Sequence, residues 1–177
     1  MCDILYRETQ HKKYCAVHAL NAYFGSRIVT CQQMFEFAEN YVNSNANRRN
    51  IQEKSGAFYT TDGFFSLDIL NLWCIHNLEM KIKNIGFSEE TVTKKKLTKL
   101  FANNDSILFS NGWHLMCLKK TQNKWCLIDS MKSKNLVLGK KYKWKDLIGT
   151  FYIFENNSTT QSTHKKREQK TIDLTLI

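Results

Sequence analysis

At Ser106 the chain changes habit, and that change limits its fold more than any other feature. Before it, apolar residues recur at helical spacing in Cys15–Phe24, in CQQMFEFAENYV after a plausible Thr30 cap, and in Phe64–Asn77. A basic helix is expected from Ser88 to Phe101, and one early strand over Glu79–Asn84, where Met80 and Ile82 alternate with Lys81 and Lys83. After it come four short segments rich in Ile, Leu, Phe and Trp: Ser106–Ser110, Trp113–Lys119, Lys124–Asp129 and Thr150–Glu155. Helices first and strands last predict an α+β fold, with helices packed on a C-terminal antiparallel sheet. The 177 residues, 42% of them hydrophobic, suffice for one compact domain. Residues 1–155 are read as that domain, and the polar, aperiodic stretch 156–177 as a disordered basic tail.

The stretch Tyr6–Phe24 (YRETQHKKYCAVHALNAYF) places Cys15 at the start of a helix that runs to Gly25 without an earlier Gly or Pro. Unpaired N–H groups and the macrodipole in a first helical turn favour thiolate over thiol. Their contribution is about 0.3–1 kcal/mol, whereas moving a thiol from about 8.5 to below 5 requires roughly 5 kcal/mol. An activated Cys15 therefore requires a cation beside it.

The β-segments offer one. If Lys120–Asn123 forms a symmetric hairpin connection, Leu118 opposes Trp125, Met116 opposes Leu127, Cys117 opposes Cys126 and His114 opposes Asp129. An imidazole held by a carboxylate is oriented and stabilised as imidazolium, and that lowers the pKa of a neighbouring thiol. Each feature also has a plainer reading: the cysteine as packing, the His–Asp pair as a satisfied polar contact. Cys117 and Cys126 are read as small apolar core residues.

Composition excludes several other classes. The six cysteines show neither CxxC pairs nor the density of a secreted scaffold, so reduced thiols are expected; no apolar leader or membrane span is visible. No zinc signature appears among the histidines and cysteines, and His76 is expected to cap a helix or lie on the surface. Neither metal nor cofactor is expected. The net charge of +10 would suit nucleic acid, but the lysines are spread along the chain and no RNA-binding consensus accompanies the aromatics.

Gln10, CAVHALN from Cys15, DGFFSLDIL from Asp62, WHLMCLKK from Trp113 and WCLIDS from Trp125 resemble, in order and spacing, the Josephin domain of cysteine deubiquitinases. The resemblance spans roughly residues 3–155. It implies a papain-like fold and a thiol-dependent deubiquitinase hydrolysing (iso)peptide bonds at the C-terminus of ubiquitin or a ubiquitin-like modifier. It further implies Cys15 as nucleophile, His114 as general base and acid, Asp129 as the residue orienting His114 (Asn in some relatives), and Gln10 as oxyanion donor. His18 matches a family histidine; at i+3 on the helix it is expected to be structural. Asn43–Thr61 takes the place of the family's helical arm but is short and poorly patterned, and reads as a loop or lid.

In the tail, Thr171–Leu176 resembles a SUMO-interaction motif, with Ile172, Asp173, Leu174 and Leu176 as modifier-binding residues that would add a strand to a sheet edge. The basic HKKREQK before it reads equally as a nuclear-import signal. The expected protein is an intracellular monomer of cytoplasm or nucleus, acting on ubiquitin or polyubiquitin conjugates, with no membrane partner. Two rival functions stay open: a cysteine protease of other peptides, and a catalytically silent modifier-binding module.

Overall fold

The protein is described from a computed structural model covering residues 5–45, 58–86, 94–122, 124–139 and 147–157. In chain order these form α1 (Cys15–Phe24), α2 (Cys31–Asn45), α3 (Leu67–Leu78), β1 (Met80–Asn84), α4 (Lys94–Asn103), β2 (Ser106–Ser110), β3 (Leu115–Thr121), β4 (Lys124–Ile128), β5 (Leu136–Val137) and β6 (Thr150–Asn156). The strands make one antiparallel sheet in the order β1-β6-β2-β3-β4-β5. This is the expected α+β arrangement, with β1 returning to pair with the last strand.

Local chemistry sets the helix ends. Thr30 and Gln33 form a reciprocal capping box: Gln33 N–H donates to Thr30 Oγ1 at 3.1 Å and Thr30 N–H to Gln33 Oε1 at 2.8 Å. Ser66 caps α3 by accepting from the Ile69 N–H at 3.3 Å, so that helix starts at Leu67 and not at Phe64. Phe65 is left to bridge Tyr59. Gly25, at φ 77°, closes α1 with its N–H on Asn21 O and Ala22 O.

Both faces of the sheet are covered. Ile107, Phe109, Met116, Leu118, Trp125, Leu127 and Phe151 pack with Leu97, Leu100 and Phe101 of α4. Leu108 and Leu115 face the helical layer of α1, α2 and α3, and Cys117 and Ile128 pack on Ala22 of α1. The pleat sends alternate residues of β2 and β3 to opposite faces, and each finds a helix there. On the α1 side Lys119 crosses to the helix C-terminus, its Nζ donating to Tyr23 O at 2.8 Å and Ala22 O at 3.3 Å.

The hairpin register differs from the expected one. Leu118 pairs with Leu127 and Cys117 with Ile128, and the ladder runs on to Thr121 and Lys124. Gln122 adopts φ 42°, the left-handed geometry of a tighter connection, and the pairing slips by two residues. A slip of two keeps every side chain on its face. Cys15, Cys31, Cys74 and Cys117 are free thiols, but Cys126 is disulfide-bonded, which corrects the reading of all six as reduced.

Candidate active site

The start of α1 is built to leave its N–H groups open. Tyr14 stands at the N-cap without a side-chain cap, and the first turn carries no acidic residue. The Asp62–Phe65 part of the DGFF block supports this turn. Lys13 N–H donates to Asp62 O at 3.0 Å, Lys13 Nζ lies 2.7 Å from Asp62 Oδ2, and the Tyr14 ring stacks on Phe65. Gly63, at φ 100°, is required there, because a Cβ would stand 2.4 Å from the Tyr14 ring.

His114 lies in the turn between β2 and β3, one residue ahead of the strand. Asn111 Oδ1 accepts from the N–H groups of Trp113 (3.2 Å) and His114 (3.0 Å), which ends the ladder at Ser110–Leu115. Asp129 follows β4 and is buried; its Oδ1 accepts from His114 Nε2 at 2.6 Å and from Met131 N–H at 2.9 Å. The expected His114–Asp129 pair therefore forms, but not as a ladder pair. With Nε2 engaged, Nδ1 is the nitrogen left for Cys15, and each of the two groups shifts the titration of the other.

Electrostatics follow the geometry. Burial opposes a charged Cys15, but the hydrogen bond from His114, the Leu115 N–H, the His114 charge and the Ala16 N–H together lower the thiol pKa below its ordinary value. Burial likewise opposes a charged His114; its hydrogen bonds to Cys15 and Asp129 and their negative charges raise its pKa above the ordinary imidazole value. Each shift favours a thiolate–imidazolium pair.

Gln10 is tied to the residue after Asp129. Its N–H donates to Ser130 O at 2.9 Å, and Ser130 Oγ donates to Gln10 Oε1 at 2.8 Å. Its Nε2 donates one hydrogen to Lys12 O at 2.7 Å, leaving a second amide hydrogen. The structure thus gathers Gln10, Cys15, His114 and Asp129 into one neighbourhood. Ile172, Asp173, Leu174 and Leu176 lie outside the described residues, as does 46–57 of the segment read as a lid.

Glu8 was not anticipated. Its carboxylate, 10% exposed, accepts from His18 Nδ1 (2.7 Å), Asn21 Nδ2 (2.9 Å), Tyr6 OH (2.7 Å) and Arg27 Nε (2.7 Å). Burial works against the charge, and these four donors overcome it, holding Glu8 at about 2. His18 is accordingly structural, as expected. The signal was present in the sequence: His18 and Asn21, three apart on a mostly apolar helix, share a face that calls for a polar partner.

Beside Cys15 and His114 opens a cleft of about 170 Å³, lined also by Ala16, Leu70, Leu115 and Tyr152. Phe64 and Trp113 stand on it, 42% and 95% exposed. Its described lining includes no Asp or Glu. Among the described residues no group of His, Cys, Asp and Glu could hold a metal ion, and no helix is long and apolar enough to cross a membrane.

No curated protein matches the sequence. The Josephin family profile does, over residues 10–150, a stretch that includes Gln10, Cys15, His114 and Asp129. The chain, papain-like in fold, therefore belongs to the Josephin family of cysteine-protease-type deubiquitinases.

Proposed function

We propose that this protein is a thiol-dependent isopeptidase that hydrolyses the bond after the C-terminal glycine of ubiquitin or a ubiquitin-like modifier. The observation that carries the reading is the line Cys15–His114–Asp129, with Cys15 and His114 lining an open cleft and Gln10 tied to Ser130 beside Asp129. In this reading His114 Nδ1 takes the Cys15 proton and the thiolate attacks the glycine carbonyl. The oxyanion is met by the Cys15 N–H and Gln10 Nε2, a donor worth about 3–4 kcal/mol. His114 then protonates the departing lysine amine, forming a thioester, and activates a water that releases the modifier and regenerates the thiol. Asp129 keeps Nδ1 directed at the sulfur throughout.

One observation favours a modifier other than ubiquitin. The chain carries +10, and the described cleft lining offers no carboxylate to a basic partner. Incubating the protein with C-terminal fluorogenic amides of ubiquitin, SUMO and related modifiers, alongside covalent modifier probes, tests both points. Turnover and Cys15 labelling with at least one modifier are expected; a chain that binds modifiers without cleaving any would be a docking module, and one that cleaves only unrelated peptides a protease of another kind.

A further inference from the structure

Glu8 stands two residues before Gln10, and two residues of chain span at most about 7 Å. Its partners His18 and Asn21 lie on α1, three and six residues beyond Cys15. Arg7, on the other side of Glu8, donates to Lys132 O (2.6 Å) and Ser133 O (3.0 Å), while Gln10 is held by Ser130. The segment Arg7–Gln10 is therefore strung between two supports: the chain just after Asp129, and the helix that begins at Cys15. Without Glu8 the hydrogen bonds of Arg7 and Gln10 would still tie the segment to Asp129–Ser133, but its polar tie to α1 would be gone. The amide would then keep its distance from Ser130 while its distance from the Cys15 N–H was set more loosely.

We infer that Glu8 is a positioning residue for the reaction: clamped to His18 and Asn21, it sets the Gln10 amide at the distance from the Cys15 N–H that a shared oxyanion requires. This rests on the oxyanion role given to Gln10 above. Two donors make one oxyanion site only if both stand 2.7–3.1 Å from the same point, so a shift of several tenths of an ångström in the segment would matter. The clamp holds across the working range, since the carboxylate stays charged down to a pH of about 2.

The test is a cycle of Glu8→Gln, Gln10→Ala and the double variant, assayed with the fluorogenic modifier substrate the full chain cleaves. Glu8→Gln should lower kcat about tenfold with KM within twofold, and should cost nothing further in the Gln10→Ala background, although thermal stability falls equally in both. Alkylation of Cys15 by iodoacetamide, which needs no oxyanion site, should stay within twofold of wild type. Losses in kcat that multiply would make Glu8 a merely structural residue and overturn the inference. An unaffected Glu8→Gln beside a damaged Gln10→Ala overturns it alone, whereas an unaffected Gln10→Ala removes the oxyanion role and the inference with it. Should Glu8→Gln not fold, His18→Leu against His18→Gln carries the test: the amide can still donate to Glu8 and should restore most of the kcat that leucine loses, and equal losses overturn the inference. The side-chain amide resonances of Gln10 give a substrate-free reading: they should shift in Glu8→Gln, and unchanged resonances count against the clamp whatever the substrate.

Discussion

His114 Nε2 meets Asp129 Oδ1 at 2.6 Å although neither residue belongs to a strand; each stands one position beyond the end of β3 or β4. Asp129 also accepts from the Met131 N–H, so its carboxylate is fixed before the imidazole arrives. A carboxylate already anchored by backbone orients the ring at little further entropic cost. Replacing Asp129 with Asn keeps an acceptor but loses the charge. Asp129→Asn should therefore lower kcat less than His114→Ala, whose loss should rival that of Cys15→Ala at about ten-thousand-fold or more. Initial rates for the three variants check the ranking; Asp129→Asn as damaging as His114→Ala would mean that charge and not orientation is its contribution.

The opposed shifts at Cys15 and His114 define a pH window. The thiolate forms as pH rises through the lowered Cys15 pKa, and the imidazolium is lost as pH rises through the raised His114 pKa. The rate should climb on an acid limb below the ordinary thiol value and fall on an alkaline limb above the ordinary imidazole value. Alkylation of Cys15 across pH reads the acid limb directly; in His114→Ala that limb should move up toward the value of a free thiol.

Glu8 also makes a prediction about acid stability. A carboxylate with pKa 4.5 when free and about 2 when folded adds stability that is fully present above 4.5 and lost as pH falls toward 2. The contribution is at most about 3 kcal/mol, at about 1.36 kcal/mol per pH unit. Urea melts at pH 7 and pH 3 should show wild type losing more stability between them than Glu8→Gln does.

Gly63→Ala should be destabilising by about 1–3 kcal/mol, since its new methyl group meets the Tyr14 ring and its φ of 100° is unfavourable for alanine. Because Tyr14 immediately precedes the nucleophile, kcat should fall as well, and Tyr14→Ala in the same chain should recover part of the stability. Thermal melts of the single and double variants decide it.

Deletion after residue 157 should leave cleavage of a minimal fluorogenic substrate unchanged, because Gln10, Cys15, His114 and Asp129 all lie upstream. If Ile172, Asp173, Leu174 and Leu176 dock on SUMO, the deletion should weaken SUMO binding, by up to about a hundredfold where a second contact adds avidity. Titration of labelled SUMO against both chains checks this. Ala at Ile172 and Leu174 should reproduce the defect; a defect that follows Lys165, Lys166 and Arg167 instead would indicate an electrostatic anchor.

Periodicity and capping residues were enough to read the layers of this fold, because Thr30, Gly25 and the alternating β-segments act locally. The pairing of His114 with Asp129 was legible for a reason that proved incomplete. On a ladder continued through His114, the ring would share the face of Met116 and Leu118, turned away from α1. It reaches Cys15 because Asn111 ends the strand first, a turn whose effect depends on the sheet around it. The tight hairpin at Gln122 and the two-residue strand β5 left too little pattern to read. Glu8 was missed because a buried carboxylate is recognised by its donors, and Tyr6, His18, Asn21 and Arg27 converge only once α1 and the chain around it have folded.

The Lys119 contact at the far end of α1 has a mechanical consequence. Besides the packing of Leu115 and Cys117 on α1, the stretch from His114 to Lys119 meets the helix at its two ends: His114 faces Cys15 just before β3 begins, and Lys119 donates to the Tyr23 and Ala22 carbonyls where the helix ends. Five strand steps cover about 16 Å and the eight helical steps from Cys15 to Tyr23 about 12 Å, so the two spans are of similar length. A bar pinned once can swing; a bar pinned at both ends cannot. Sulfur and imidazole are thereby kept in register by a support well over 10 Å away, and loosening that distant bolt would let the reacting pair drift apart without a single atom of the cleft being changed.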